Sequence, residues 1–154
     1  MPIREATIKE APTVLAFIQE FFPYKHMDLP TLEQRMQDLN IAILVYEEGK
    51  TIHGFVDIEI ITPSAGEVRL NGVAVRKESQ YHGIGGQLVK AAIAWSEERG
   101  MTRMVLLVEP TNAPAKQLYT ILGFVFEKEA PPIEGKPVEQ WAKKLHPPKP
   151  EYVH

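Results

Sequence analysis

The sequence predicts a single domain that mixes strands and helices, and three observations carry that reading. Strand-length apolar or alternating segments recur between longer segments whose apolar residues return at helical spacing. IAILVYEEGKTIHGFVDIEIITP (41–63) reads as two strands around an EEGK turn, which is a hairpin signal. A glycine cluster, Gly83, Gly85 and Gly86, stands between a strand and the mouth of a helix. The 154 residues are one domain's worth, long enough to bury a core. We expect that domain over residues 1–146, followed by a Pro-rich tail at 147–154.

Taken in order, IREAT (3–7) alternates and suits a short strand. In residues 9–22, Val14, Leu15, Phe17, Ile18, Phe21 and Phe22 gather on one helical face. Residues 29–40 predict a second helix, with Thr31 as its cap, Leu32, Met36 and Leu39 as its apolar stripe, and Asn40 to stop it. The 41–63 hairpin follows, and then GEVRLNGVAVR (66–76), a strand reached through a Thr-Pro-Ser-Ala-Gly turn. A helix from about 84 to 99 ends at Gly100; Ile84, Leu88, Ala92 and Trp95 form its apolar face, largely opposite Gln87, Lys90, Glu97 and Glu98. RMVLLVE (103–109) is a continuous apolar run, as in a strand covered on both faces. NAPAKQLYTILG reads as a helix closed by Gly123, and FVFE and PVEQWAKKL as final strands.

Composition narrows the function. A net charge of -3, from 17 Lys+Arg against 20 Asp+Glu, gives no general attraction to nucleic acid or to an anionic membrane. With no Cys, disulfides, thiolate metal sites and a cysteine nucleophile are excluded. The five histidines (26, 53, 82, 146 and 154) lack metal-ligand spacing, so no metal is expected. Runs such as IAILVY are too short to span a membrane, and MPIREAT does not read as a signal peptide. A cytoplasmic location is the default expectation.

The glycines carry the strongest functional signal. Strand, glycine loop and helix in that order aim unpaired N–H groups and the positive end of a helix dipole at one spot. Glycine lets a ligand approach the backbone without a Cβ in the way, so the arrangement suits an anion, most often phosphate. Glycines there would also serve a plain strand-to-helix connection. A P-loop requires Gly-Lys-Ser/Thr, but Gln87 and Leu88 follow Gly86. A dinucleotide fingerprint requires a third glycine where Leu88 stands; Glu109 could imitate its ribose-binding acid, yet RKESQYH parts the strand from the glycines.

VAVRKESQYHGIGGQLV (73–89) resembles the acetyl-CoA signature of the GCN5-related N-acetyltransferases, Arg/Gln-x-x-Gly-x-Gly/Ala, filled by Gln80, Gly83 and Gly85. LLVEPTNAPAKQLYTILGFV (106–125) resembles the second half of that site, a strand followed by Asn, Leu-Tyr and Gly-Phe. PIREAT resembles the family's first strand. The resemblance implies an α/β (α+β) fold: a mixed, mostly antiparallel sheet of six or seven strands with helices on both faces. It implies that Val73, Ala74 and Val75 pair with a pantetheine arm. Gln80 and the amides of Tyr81, His82, Gly83, Ile84, Gly85 and Gly86 would hold a pyrophosphate. Asn112 would bond the cofactor, and Tyr119 would turn its hydroxyl to the thioester sulfur. Asn112 equally suits a helix cap, Tyr119 equally suits core packing, and Lys116 suits a phosphate or a solvated helix face.

The implied chemistry is attack of a neutral amine on a thioester. A carboxylate takes up the amine's proton, a tyrosine hydroxyl assists the departing thiolate, and the Val73–Val75 segment supplies amides to the oxyanion. Strand alternation gathers Asp57 and Glu59 of one strand with Glu67, Arg69 and Asn71 of the next. Glu67, on the strand leading into the cofactor segment, is the chosen base and Glu59 the second choice; cross-strand pairing with Arg69 is the competing role for Glu67. Asp57, Glu59 and Asn71 are expected to bind the acceptor. The expected partners are acetyl-CoA and an amine acceptor, a small molecule or a protein amine, and a homodimer is allowed. The alternative is a non-catalytic, acetyl-CoA-binding regulatory module.

Overall fold

The computed structural model of the protein describes residues 2–80 and 82–149. Within them run β1 (Ile3–Glu5), α1 (Ala11–Phe21), α2 (Leu29–Met36), β2 (Ile41–Glu48), β3 (Thr51–Thr62) and β4 (Glu67–Val75). There follow α3 (Ile84–Glu98), β5 (Arg103–Val108), α4 (Ala113–Ile121), β6 (Val125–Ile133) and β7 (Lys136–Lys144). The strands form one seven-stranded sheet in the order β1-β2-β3-β4-β5-β7-β6. Every neighbouring pair is antiparallel except β4 and β5, which are parallel.

Both faces of the sheet are covered, as the alternation of its strands requires. On one face Val14, Phe17 and Ile18 of α1 and Leu32 of α2 pack with Ile43, Val45, Phe55 and Ala74. On the other, Leu88, Ala92 and Trp95 of α3 pack with Leu44, Val56, Ile58, Val68, Leu70, Met104 and Leu106. Tyr119, Phe124 and Trp141 extend that second core under α4. This is the mixed, mostly antiparallel fold with helices on both faces that the resemblance implied.

Three local differences from the sequence reading have physical causes. The cap of α2 is Asp28, whose side chain accepts the Thr31 N–H at 2.8 Å; Thr31 lies inside the helix. That helix stops at Met36, so Leu39 leaves the apolar stripe and is 93% exposed. The strand expected at FVFE runs on as β6 through Pro131 and Pro132 to Ile133 and joins β7 as a hairpin. Prolines argue against a central strand, but β6 is the edge of the sheet, where a missing N–H costs no ladder bond.

Candidate active site

The site begins with a fault in the sheet. β4 pairs with β3 along its whole length, but with β5 only over Glu67–Leu70 against Arg103–Leu106. Asp57 pairs with Gly72 and the next residue, Ile58, with Leu70, so Asn71 is an extra residue in β4. Such a bulge bends its strand and increases the local twist. The bulge falls where pairing with β5 ends, and from there the two parallel strands separate.

Beyond it, the Arg76 N–H donates to the His53 carbonyl. Backbone groups alternate sides along a strand, so Val73 and Val75 turn theirs to the open edge. The Val75 carbonyl is taken by Gln80 Nε2 at 2.9 Å, and the Asn71 carbonyl by Lys25 Nζ at 2.9 Å. Among the described residues, the Val75 N–H and both polar groups of Val73 stay open, a short strand edge free to pair.

The glycine cluster stands at the end of this edge. Gly83 is the N-cap of α3, has φ +77°, and brings no side chain to the helix start. At Gly85 an added Cβ would meet only Leu118 and Val75, each at 3.9 Å, and at Gly86 only Leu118 at 3.5 Å. Packing within the chain therefore does not require glycine at 85 or 86. The missing Cβ atoms leave room on the cavity side for a group to approach the helix N–H donors. Gln80, Gly83, Ile84, Gly85 and Gly86 line the cavity, whereas His82 is exposed and outside its lining. Tyr81 lies outside the described residues.

The cavity between the parted strands measures about 890 Å³. Asn71 to Val75 form one wall and Leu107, Val108 and Glu109 the other; Phe21, Phe22, Pro23 and Tyr24 close one end. Asn112 caps α4 by accepting the Ala115 N–H through Oδ1 at 3.2 Å, which leaves its Nδ2 to donate to a ligand. Both roles foreseen for Asn112 are therefore open to it at once. Tyr119 also lines the cavity, its ring edge-to-face with Phe124 at 5.6 Å. Burial pushes its hydroxyl up to about 12, so it stays protonated and can donate. Lys116 turns elsewhere: it donates to the Pro110 carbonyl at 3.1 Å, stands 3.5 Å from Glu139 and is not a lining residue.

Strand alternation brings Asp57, Glu59 and Asn71 together as expected, but their surroundings differ from the expectation. Arg35 of α2 holds Asp57 with a two-pronged contact at 2.8 and 2.9 Å and reaches Glu59 at 3.2 Å. Asn71 Nδ2 donates to both carboxylates at 3.1 and 3.0 Å. Asp57 is only 5% exposed, and both carboxylates are already bound from within the chain by Arg35 and Asn71. Arg35 carried a sequence signal that was missed, since it lies three residues after the buried Leu32 and so on the sheet-facing side of α2.

Glu67, the chosen base, is at the far end of β4. It pairs with Arg103 of β5 at 3.1 Å, not with Arg69, and it does not line the cavity. Six residues separate it from Val73, roughly 20 Å of strand. Two carboxylates line the cavity: Glu134, which stands 3.2 Å from His26, and Glu109, which is exposed and, among the described residues, in no ion pair. Tyr24 faces it: burial, and then the Glu109 charge, raise the Tyr24 hydroxyl above its ordinary range. The position of Glu109 at the end of the 103–109 run was the signal that could have found it.

An open strand edge, a cleft and a glycine-led helix start with no side-chain cap lie together in one cavity. The sequence matches the Acetyltransferase (GNAT) family over residues 11–124, and the chain belongs to that family. It is 37% identical to a mycothiol acetyltransferase of Corynebacterium aurimucosum over 68 residues, 44% of this chain and 22% of that protein. The chain thus spans about a fifth of the length of the curated relatives it matches. Ard1 from Thermoplasma volcanium has a similar fold, with a TM-score of 0.82 at 20% identity, covering 94% of this chain and 97% of that one. So has yncA from Salmonella typhimurium, solved with its cofactor acetyl-CoA, with a TM-score of 0.78 at 20% identity over 99% and 98% of the two chains. Among the described residues, no helix is long and apolar enough to cross a membrane.

Proposed function

We propose that the protein transfers the acetyl group of acetyl-CoA directly to a primary amine, on a small molecule or a protein. The observation that carries this reading is the open edge of β4, running between the glycine-led start of α3 and the Tyr119 hydroxyl in one cavity. Acetyl-CoA fits the donors present. Val73 and Val75 would pair with the pantetheine amides, the N–H groups from Gly83 to Gly86 would take the diphosphate, and Asn112 Nδ2 would donate beside them. Acetyl-CoA supplies an acyl group on a thiolate leaving group.

The residues of the chain do the rest. Glu109, at the cavity wall beside Tyr24, is the carboxylate through which the acceptor's ammonium proton leaves, directly or through water. The Val73 N–H donates to the oxygen on which charge builds. Tyr119, protonated through the neutral range, donates to the departing sulfur. The chain has no Cys, and with the amine attacking the thioester directly the transfer is read as a single displacement.

Two measurements test this. Acetyl-CoA at a hundred times its dissociation constant should stabilise the fold by about 2.7 kcal/mol and raise Tm by roughly 5–10 °C. A panel of amines should contain at least one that releases free CoA thiol at a rate proportional to enzyme. No thermal shift at millimolar cofactor would overturn the assignment. A shift without thiol release from any amine would make the chain an acetyl-CoA-binding regulatory module.

A further inference from the structure

The cofactor donors occupy one end of the cavity, and the other end has a chemistry of its own. Leu107 alternates away from Leu106 and Val108, which turn into the core under α3, and so faces the side of the sheet that carries α1 and α2. Those two helices pack on β2, β3 and Ala74 of β4, and among the described residues none of β5 or β7 belongs to their core. Leu107 is therefore left 40% exposed, and it lines the cavity. Tyr24, 37% exposed, is the other large exposed hydrophobic side chain that lines it among the described residues. Uncovered apolar groups inside a concave site mark where a ligand brings apolar surface of its own.

The loop after α1 supplies the opposing wall. The Phe22 ring lies against Gly72, where an added Cβ would meet its Cζ at 2.9 Å, and it stands edge-on to Tyr24 at 6.4 Å and to Phe55 at 6.2 Å. Further along the same loop, His26 reaches Glu134 of the β6–β7 turn at 3.2 Å. The loop sits on the β4 side of the cleft and the turn on the β5 side, and both residues line the cavity, so their contact bridges this end. With Glu134 occupied there, Glu109 is the carboxylate left to meet an ammonium group, and it stands two residues, roughly 7 Å of chain, beyond Leu107. Lys136 also lines this end, but it begins β7 three residues from Glu139, the partner of Val108, roughly 10 Å along the strand. A carboxylate on the carbon that bears the amine would thus stand beside Glu109 and not beside Lys136.

We propose that the acceptor is a compact primary amine with an aromatic or branched apolar body and no carboxylate beside its nitrogen. The body sits between Leu107 and the wall of Phe22 and Tyr24, the nitrogen lies at Glu109, and the His26–Glu134 bridge excludes a longer chain. This rests on the transferase reading above and narrows it from any primary amine to one class. In the step, one proton leaves the ammonium group through Glu109 and the neutral nitrogen attacks the thioester carbonyl carbon. A C–N bond forms, the C–S bond breaks, and the second nitrogen proton goes to the departing thiolate. The products are an N-acetyl amide and CoA thiol. The apolar body takes no part in bond making, so its contribution is binding common to ground and transition states and is read in KM.

The experiment is steady-state thiol release at saturating acetyl-CoA with phenethylamine, isoamylamine, ethylamine, L-phenylalanine and a tripeptide that begins with phenylalanine. Phenethylamine should exceed ethylamine in kcat/KM by roughly 10- to 100-fold, the scale of burying one aromatic ring, with the difference lying in KM. It should also exceed L-phenylalanine, whose carboxylate meets Glu109, and the tripeptide, whose chain meets the bridge. Leu107→Thr keeps a good strand former at an exposed position. It should retain the thermal shift with acetyl-CoA while lowering the ratio of phenethylamine to ethylamine by about fivefold or more. Ethylamine, L-phenylalanine or the tripeptide turned over as well as phenethylamine, or a ratio unchanged in Leu107→Thr, would overturn the inference. If the wild type shows the thermal shift and thiol release with other amines but phenethylamine and isoamylamine are inert, this inference alone falls. If the shift is absent, the transferase reading falls and takes this inference with it.

Discussion

Replacing Tyr119 with Phe removes one oxygen and keeps the edge-to-face contact with Phe124. The hydroxyl has no hydrogen-bond partner among the described residues, so its loss leaves no protein group unpaired and the fold should be preserved. Burial holds that hydroxyl at about 12, some 3.5 units above a thiol's ordinary ~8.5. Full proton transfer to the leaving sulfur would therefore run uphill by about 5 kcal/mol, so Tyr119 acts by donating a hydrogen bond to it. A hydrogen bond to a charged partner contributes about 1.5–3 kcal/mol, so Tyr119→Phe should lower kcat by roughly 10- to 150-fold. Acetyl-CoA affinity should hardly change, because the bond strengthens only as charge builds on sulfur. Thiol release measured from about pH 6 to 9, beside cofactor binding by thermal shift, reads both. Stability adds an independent check. The fold disfavours the phenolate, so wild-type stability is unaffected by this group below its unfolded value near ~10. It then falls by roughly 3 kcal/mol as pH rises through about 12, and the Phe variant should lack that fall. Turnover equal to wild type across the range would reduce Tyr119 to a core residue.

Glu109→Gln should lower turnover at neutral pH by roughly 10²-fold or more, the scale of one general base, whereas Glu67→Gln should stay within about twofold of wild type; the reverse order in thiol-release assays would restore Glu67 as the base. Arg35→Leu strips Asp57 of its buried cation and should destabilise the fold by about 3–5 kcal/mol in urea titration. A loss below about 1 kcal/mol there would mean that Asn71 and solvent suffice to hold the carboxylates.

The glycine-led start of α3 and the Asn112 cap of α4 were legible because they are written in local chain geometry. Glycines between a strand and a helix, and Asn112 before a helix, have their meaning within a few residues of sequence. The alternation that gathered Asp57, Glu59 and Asn71 is equally local and equally correct. What binds the carboxylates is not local, since Arg35 arrives from a helix 22 residues before Asp57 in the chain. The choice of Glu67 failed for a related reason. Sequence period tells which face of β4 a residue takes, but only the register against β5 tells how far along the strand the cleft opens. The bulge at Asn71 that sets this point has no glycine at its extra position and left no mark in the alternation.

The single parallel junction also divides the molecule mechanically. β1 to β4 on one side and β5 to β7 on the other meet edge to edge through four residue pairs, fewer than those joining β2 to β3 or β3 to β4. A ligand that pairs with β4 beyond Leu70 works there as a wedge and a suture at once. It keeps the two halves apart at the mouth and supplies cohesion where the ladder has run out. On the proposed reading, cofactor uptake would therefore also stiffen the sheet along that seam.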